Sequence, residues 1–512
     1  MLSLSARRPA RQVLLSGTAL LGVALCGLAD PSPANADQQF LKHGSLVVSS
    51  STYDNTQGPV ATLTVGTPLA GPSKAVAGND YVTVWNNAGA DASFGVTSSI
   101  QLTDIDLSNG KIFRSMQVPT DQVVTSFSSK SELGLHVINH WPAASVVFIG
   151  YANAGVGNLD VSNSDAVPGQ DLTNPVTAAF GTNFAFRRTI VSVNEKGGIT
   201  YTPTTVYGGN NGRSALLGSN GLYYMVGNAN NGNASTFGSS TNGTNPDVTE
   251  TTGLEVVNPI DAAMVDWTIA SAESIEVDPL LQFPLNKNNT LDKPGKDDNY
   301  RGLTEFGGAL YFTKGSGSNG MDTVYTVAPP STLPTLGSAR NSTISVVPGF
   351  PTDSARATGG DYTPFAVFFA NPTTMYVTDE GAGNATDTAS NAGLEKWTLG
   401  SDGSWRLQYV LKKGLIGGVE NHLTGSAGPY PAVTTIGLRN LTGRVNGDGT
   451  VTLWATTSTS STSGDNGADP NQVVEITDQI AETQSGRVED ESFKTVAGPV
   501  YGTVFRGVGY VE

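Results

Sequence analysis

Cysteine and histidine are scarce in this chain of 512 residues, and that scarcity excludes several kinds of site. The one cysteine, Cys26, lies near the N-terminus, so no disulfide can hold the rest of the chain together. None of the four histidines lies beside an acidic residue, and the pattern Gly-x-Ser-x-Gly is absent. We therefore find no motif for nucleophilic catalysis, and stability must come from the burial of apolar side chains.

Positive charge is also scarce. The chain has 28 Lys and Arg against 44 Asp and Glu, which gives a formal net charge of −16. Proteins that bind nucleic acid carry basic surfaces that neutralise phosphates. The composition therefore argues against a nucleic-acid partner.

Long apolar runs are missing except at the N-terminus, so we expect no membrane span. Arg7, Arg8 and Arg11 precede an apolar stretch over 13–28, and Ala34-Asn35-Ala36 fits a cleavage site. We predict a secretory signal peptide over 1–36, a mature domain over 37–512, and a secreted protein, either periplasmic or extracellular. Removal of the signal leaves 25 basic and 43 acidic residues, a net charge of −18.

Helical periodicity is nearly absent, while short β-branched and aromatic runs between turn residues are frequent. From about residue 210 onward, a pattern of up to four runs recurs. We name the runs of one copy A, B, C and D. The A runs lie at 213–217, 301–306, 365–369 and 433–436, the B runs at 222–226, 310–313, 375–378 and 453–456, and the C runs at 253–257, 322–327, 393–399 and 471–476.

This repeat predicts an all-β fold, a single β-propeller of four-stranded blades. A further, diverged copy is expected to start near Val123. The last copy stops after the A run that begins near Phe505, and B, C and D runs without an A run lie at 45–49, 100–105 and 111–116. We predict that the two ends of the chain share one blade and close the ring. This gives six blades, with seven as the alternative; tandem β-sandwiches are the rival architecture.

One end of the predicted propeller collects polar residues. In an up-and-down blade, A strands begin where B strands end, and the long B-to-C loops, over 228–252, 380–392 and 457–470, lie at that same end. Arg213, Arg301 and Arg506 stand at equivalent A-strand positions. Other polar residues there are Asn211, Asn228, Lys314, Asp297, Asp298, Asn299, Asp379 and Glu380.

Three interpretations of this set remain open. The arginines, with Lys314, Asn211 and Asn228, could hold an anionic ligand such as a carboxylate or a phosphate. The arginines could instead pair with the acidic residues and brace neighbouring blades. The carboxylates Asp297, Asp298, Asp379 and Glu380 could alternatively bind Ca²⁺, which takes oxygen ligands.

Four stretches of the sequence carry a resemblance: Tyr207-Gly-Gly-Asn-Asn-Gly-Arg-Ser-Ala-Leu, Tyr223-Tyr-Met-Val-Gly-Asn-Ala-Asn-Asn-Gly, Arg301-Gly-Leu-Thr followed by Leu310-Tyr-Phe-Thr-Lys-Gly-Ser-Gly-Ser-Asn-Gly, and Val504-Phe-Arg-Gly-Val. In these stretches the chain resembles a family of secreted bacterial β-propeller-like proteins without a characterised activity. The resemblance implies the fold and secretion and carries over no catalytic residue. Propeller phytases and lactonases are similar in architecture alone.

The sequence therefore predicts a secreted propeller, expected to be a monomer, that binds a small anionic or carbohydrate ligand or a protein partner on its long-loop face. The alternative is a Ca²⁺-assisted hydrolase of phosphoesters or lactones. The sequence does not decide whether the protein is an enzyme.

Overall fold

The computed structural model describes most of the chain beyond residue 38. The described residues are 39–68, 74–77, 85–87, 95–140, 143–164, 185–229, 252–265, 270–275, 298–317, 320–328, 332–339, 342–353, 355, 362–381, 391–416, 419–420, 424–425, 428–429, 433–460 and 467–512. The predicted signal peptide, Asp297 and much of the long B-to-C loops lie outside these ranges.

The described chain is almost entirely β-structure. Its strands are β1 (Ser45–Thr52), β2 (Ala75–Ala77), β3 (Trp85–Asn87), β4 (Thr97–Asp106), β5 (Lys111–Gln117), β6 (Val123–Ser126), β7 (His136–His140), β8 (Ala143–Ala152), β9 (Arg188–Asn194), β10 (Ile199–Thr204), β11 (Gly212–Leu217), β12 (Tyr223–Gly227), β13 (Gly253–Val257), β14 (Ala272–Ile275), β15 (Leu303–Phe306), β16 (Ala309–Lys314), β17 (Thr323–Ala328), β18 (Thr343–Val346), β19 (Pro364–Asn371), β20 (Thr374–Asp379), β21 (Gly393–Leu399), β22 (Trp405–Leu411), β23 (Val419–Glu420), β24 (Thr424–Gly425), β25 (Gly428–Pro429), β26 (Val433–Val445), β27 (Thr450–Ser460), β28 (Val473–Gln479), β29 (Lys494–Ala497) and β30 (Thr503–Val511). Short 3₁₀ turns occur at Pro59–Thr62, Val161–Asn163 and Ser485–Arg487. No helix in the part of the chain described here is long and apolar enough to span a membrane.

Consecutive antiparallel strands form the sheets of a β-propeller. Three sheets have four strands each, namely β11 to β14, β15 to β18 and β19 to β22. A further sheet contains β26 to β29, and β23 pairs with β26 in it. Tight turns such as Asn109-Gly110 and Gly307-Gly308 contain glycines with positive φ, as hairpin geometry requires. The predicted all-β propeller arrangement is confirmed.

The two ends of the chain share one sheet. Strand β30 pairs with β1 from Thr52↔Thr503 to Ser45↔Val511, and β4 and β5 follow β1 in the same sheet. We call β30, β1, β4 and β5 the closing sheet. This is the pairing of C-terminal and N-terminal strands that the incomplete last repeat predicts.

The strand expected to open a blade near Val123 has a different role. Strand β6 pairs at one end with β4 (Thr97↔Ser126) and at the other with β8 (Val123↔Ala152). It therefore joins the closing sheet to the β7–β10 sheet, and the first strand of that sheet is β7. A short apolar run predicts a strand, but it does not identify the strand with which it pairs.

The first strand of each sheet lies innermost. Strand β7 contacts β11, which contacts β15, and the contacts continue through β19, β26 and β30 back to β7. Glycines allow this close approach: a Cβ on Gly302 would lie 2.2 Å from the carbonyl oxygen of Phe365, and one on Gly507 would lie 2.4 Å from that of Leu133.

Apolar side chains fill the spaces between neighbouring sheets. One cluster joins β11–β14 to β15–β18 through Tyr224, Leu254 and Phe312, and another joins β19–β22 to β26–β29 through Leu394 and Leu453. The sheets thus bury both faces by stacking around the axis, which suits a chain without disulfides.

Candidate functional site

A loop of the chain itself lies on the axis. Residues 127–135 connect β6 to β7, and we call them the axial segment. It contacts the closing sheet, where Ser49 Oγ donates to Leu133 O at 3.0 Å, and it contacts β11, where Gly134 N donates to Arg213 O at 3.0 Å. Ser131 Oγ accepts a hydrogen bond from Arg301 Nη1 at 3.0 Å.

The remaining sheets contact the same segment. Lys130 Nζ lies 2.9 Å from Glu380 Oε1, just after β20, and a Cβ on Gly467, between β27 and β28, would lie 1.7 Å from Ser128 O. The axial segment therefore occupies the centre of the ring.

Three arginines of the inner strands stand in β-bulges. The pairing register shifts between Gly212 and Ser214, around Arg213; between Leu438 and Leu441, around Arg439; and between Val508 and Phe505, around Arg506. A bulge bends its strand and re-aims the side chain at the extra residue. Arg301 stands just before β15, where its N–H donates to Thr313 O at 2.8 Å.

A buried carboxylate joins three cations at the axis. Glu380 Oε1 lies 2.9 Å from Lys130 Nζ and 3.7 Å from Arg301 Nη1, and Glu380 Oε2 lies 3.2 Å from Arg439 Nε. Burial alone would raise the pKa of Glu380, but Lys130, Arg301 and Arg439 lower it to about 2. Glu380 is therefore a carboxylate at neutral pH, and it brings together the β15–β18, β19–β22 and β26–β29 sheets.

Glu132 of the axial segment organises the next part of the site. Its Oε2 accepts hydrogen bonds from Thr125 Oγ1 at 2.6 Å and from Ser126 N at 2.9 Å, and its Oε1 accepts from Tyr151 Oη at 2.7 Å. Asn211 Nδ2 donates to the same Oε1 at 3.3 Å.

Asn211 and Arg213 are held together beside this carboxylate. Asn211 Nδ2 also donates to Ser129 Oγ at 2.8 Å, and Asn211 Oδ1 accepts from Arg213 Nε at 3.0 Å. Arg213 Nη1 donates to Tyr300 O at 2.9 Å. Burial and the positive charge of nearby Arg301 lower the pKa of Arg213 to about 9.

Lys130 is the most exposed of these cations. Desolvation by the surrounding protein, together with Arg301 and Arg439, lowers its pKa to about 8 despite the opposing effect of Glu380. Its side chain nevertheless keeps 32% of its accessible surface. We call the group Lys130, Arg213, Arg301, Arg439 and Glu380 the cation cluster.

The other residues predicted to bind a ligand lie around this cluster. Arg506 Nη2 donates to Gly467 O at 3.0 Å and to Phe127 O of the axial segment. Lys314 is fully buried and forms an ion pair of 2.7 Å with Asp322 Oδ1. Asn228 N donates to Asn211 O at 3.1 Å, and Asn228 Oδ1 accepts from Thr252 Oγ1 at 3.4 Å.

Three of the residues predicted to bind Ca²⁺, Asp298, Asp379 and Glu380, lie in the described ranges, and they have separate partners. Asp379 accepts hydrogen bonds from the N–H and hydroxyl of Thr363 and from Gly381 N, and burial raises its pKa. Its neighbour Glu380 belongs to the cation cluster. Burial raises the pKa of Asp298 to about 6. Within the described ranges, no group of three or more His, Cys, Asp or Glu side chains is placed to hold a metal ion.

Sequence reasoning did not find Lys130, Glu132 or Arg439. The axial segment belongs to no repeat, so its charges carry no positional signal. Arg439 could have been found, because a glycine lies next to or near each inner-strand arginine: Gly212 beside Arg213, Gly302 beside Arg301, Gly437 near Arg439 and Gly507 beside Arg506. The bulges change the number of residues between the glycine and the arginine, so an ungapped alignment of the repeats does not reveal this relationship.

Comparison with known proteins identifies no family. No family model matches the chain. No curated protein matches it either.

Some solved structures are weakly similar. One is a GH43 β-xylosidase/α-arabinofuranosidase from a compost microbial metagenome, with 9% identity, a TM-score of 0.30, and coverage of 72% of this chain and 92% of that chain. A xylan β-1,4-xylosidase from Bacillus halodurans has 8% identity and a TM-score of 0.28, with 85% and 92% covered. A PL25 ulvan lyase has 9% identity and a TM-score of 0.29, with 86% and 96% covered. These TM-scores are too low to carry an argument about this chain.

Proposed function

We propose that the protein is an exported, six-bladed β-propeller that binds a small anionic ligand at the cation cluster. The count of six rests on the ring of contacts formed by β7, β11, β15, β19, β26 and β30. Export rests on the basic residues, apolar stretch and Ala34-Asn35-Ala36 of the first 36 residues.

The observation that carries the binding proposal is a surplus of positive charge at one buried place in an acidic protein. Lys130, Arg213, Arg301 and Arg439 are close to the carboxylates of Glu132, Asp298 and Glu380. Among these seven described side chains the formal charges sum to +1, whereas the whole chain carries −16. Burial is the main cause that lowers the pKa of Arg213 and of Lys130, and the positive charge of Arg301 lowers both further. The cations therefore lie close enough to repel one another.

The chemistry of the cations favours a carboxylate or phosphate ligand. Guanidinium groups present fixed N–H donors that match such anions, and a site partly removed from water strengthens the attraction. Lys130 provides the contact with solvent, since about a third of its side chain is exposed. A ligand that approaches the cation cluster from solvent meets Lys130 first, since Arg213, Arg301 and Arg439 are buried.

The test is calorimetric titration of the mature protein with sodium propionate, citrate, inorganic phosphate and glucuronate. We expect at least one anion to bind and added NaCl to weaken its binding. Lys130→Met should weaken that binding about tenfold, because a charge-assisted hydrogen bond is lost. The matched control is Lys413→Met, since Lys413 pairs with Asp490 at 3.4 Å on an exposed surface. Failure of all four anions to bind, or equal affinities for the wild type and Lys130→Met, would contradict the proposal.

A second measurement tests export. The N-terminal sequence of the protein recovered from the extracytoplasmic fraction should begin at Asp37. Recovery of a chain that begins at Met1 would contradict cleavage.

A further inference from the structure

Five polar atoms at one end of the β15–β18 sheet are buried without a hydrogen-bond partner among the described residues. They are Asp298 Oδ1, Asn299 Oδ1, Arg301 Nε, Asp322 Oδ2 and Thr323 Oγ1. A buried polar atom left unpaired costs about 1–3 kcal/mol, so native proteins seldom keep several together without a purpose. Arg301, Asp322 and Thr323 are 5%, 3% and 0% exposed.

Ser316 connects these residues. Its hydroxyl oxygen accepts from Arg301 Nη2 and, at 3.5 Å, from Asn299 Nδ2. Its carbonyl oxygen accepts from Lys314 Nζ at 3.0 Å, and Lys314 also pairs with Asp322. Thr323 lies directly opposite Lys314 in the register of β16 and β17. We call Asp298, Asn299, Arg301, Ser316, Asp322 and Thr323 the Ser316 group.

The unpaired atoms of the Ser316 group are mostly acceptors. Asp298, Asn299 and Asp322 each offer one oxygen, and Thr323 offers a hydroxyl, so a complementary ligand must supply hydrogen-bond donors. A cationic donor or a metal ion would meet the ammonium of Lys314 and the guanidinium of Arg301 within the same group. Neutral hydroxyl groups avoid this repulsion.

Arg301 joins the Ser316 group to the cation cluster. One of its terminal nitrogens, Nη1, contacts Ser131 and Glu380, and the other, Nη2, contacts Ser316. One small ligand can therefore reach both groups. Among the described residues at this end, Ser316 and Asn299 are half-buried and Gly317 is exposed.

From this juxtaposition we infer that the ligand is a sugar acid. Its carboxylate binds the cation cluster, and its hydroxyl groups donate to the oxygens of the Ser316 group. The inference rests on the proposed anion-binding function and specifies the class of ligand.

The experiment compares three probes by calorimetry: sodium D-glucuronate, which has both features, D-glucose, which lacks the carboxylate, and sodium propionate, which lacks the hydroxyls. Glucuronate should bind at least about tenfold more tightly than either of the others. Asn299→Ala should weaken glucuronate binding about tenfold and leave propionate binding unchanged. Asn109→Ala, the same substitution in a turn at the opposite end of the blades, should change neither.

A second variant tests the same site in case Asn299→Ala fails to fold. Thr323→Val keeps the shape of the side chain and removes only the unpaired hydroxyl, so it should fold and still weaken glucuronate binding. Circular dichroism and thermal unfolding establish that each variant is folded.

The outcomes separate this inference from the proposed function. If glucuronate and propionate bind equally and neither variant matters, the inference is overturned while anion binding stands. If glucose binds as tightly as glucuronate and Asn299→Ala weakens both, the hydroxyl site stands and anion binding fails. If no probe binds at about 10 mM, both are overturned.

Discussion

Glu380 and Arg439 form a buried ion pair of 3.2 Å across two neighbouring sheets. Glu380 follows β20 directly, and Arg439 stands in the bulge of β26. Both side chains are 4% exposed or less. Because Lys130 and Arg301 share the same carboxylate, one residue neutralises cations from three different parts of the chain.

The variant Glu380→Gln should strongly destabilise the fold. It leaves buried cations without their counter-charge, and breaking a buried pair in this way costs about 3–5 kcal/mol. Chemical denaturation should show this loss at pH 7. Asp490→Asn is the control, since Asp490 is fully exposed and pairs with an exposed lysine. A loss below about 1 kcal/mol for Glu380→Gln would show that the cluster does not brace the sheets.

A group of titratable side chains between β19–β22 and β26–β29 should make stability depend on pH. Burial and the neighbouring carboxylate of Asp478 raise the pKa of Glu491 to about 8. The folded protein binds this proton more tightly than the unfolded chain, so the stabilisation is complete below about pH 4.5 and is lost as the pH rises towards 8.

The measurement is the melting temperature of the wild type and of Glu491→Gln between pH 5 and pH 9. The wild type should lose more stability over this range than the variant, in which the glutamine cannot ionise. Parallel profiles for the two proteins would argue against the raised pKa. Glu489→Gln, an exposed neighbour, is the control substitution.

Gly302→Ala should destabilise the protein by a few kcal/mol. Its Cβ would lie 2.2 Å from the carbonyl oxygen of Phe365 on the neighbouring inner strand, so β15 and β19 would have to move apart. Gly447→Ala is the matched control, because a Cβ there has no atom within 4 Å. Equal melting temperatures for the two variants would contradict the close packing of the inner strands.

A chain that ends at residue 502 should fail to fold cooperatively. It lacks β30, which pairs with β1 along its whole length and carries Arg506 and Gly507 to the axial segment. Removal of Glu512 alone, which is exposed, should have little effect. The measurement is the unfolding transition followed by near-ultraviolet circular dichroism. A sharp, unshifted transition for the shortened chain would show that ring closure contributes little.

The repeat in the sequence predicted the propeller architecture correctly because strands and tight turns depend mainly on nearby residues. Alternating short runs and glycine-containing turns such as Asn109-Gly110 define hairpins, and the incomplete copy at Phe505 predicted the pairing of β30 with β1. The start near Val123 was wrong, since the run 123–126 forms β6 and pairs with two different sheets. Sequence periodicity describes a strand, whereas its partner depends on packing with distant residues.

The site was predicted less completely for a related reason. Arg213 and Arg301 were found because they stand at equivalent positions of the repeat, and Asn211 because it lies at the same predicted end of a blade. The structure brings the three residues to one place. Lys130 and Glu132 lie in a loop outside the repeats, so only the folded ring shows that they meet Glu380 and Asn211. Whether these residues bind a ligand stays a prediction.

The axial segment also sets a condition on the order of folding. It is synthesised early, yet Phe127 accepts a hydrogen bond from Arg506, which is 379 positions later in the chain. Contacts of such long sequence separation form slowly, because much of the chain must be ordered before they can be made. The centre of the molecule can therefore reach its final arrangement only after Arg506 has been synthesised and brought to Phe127.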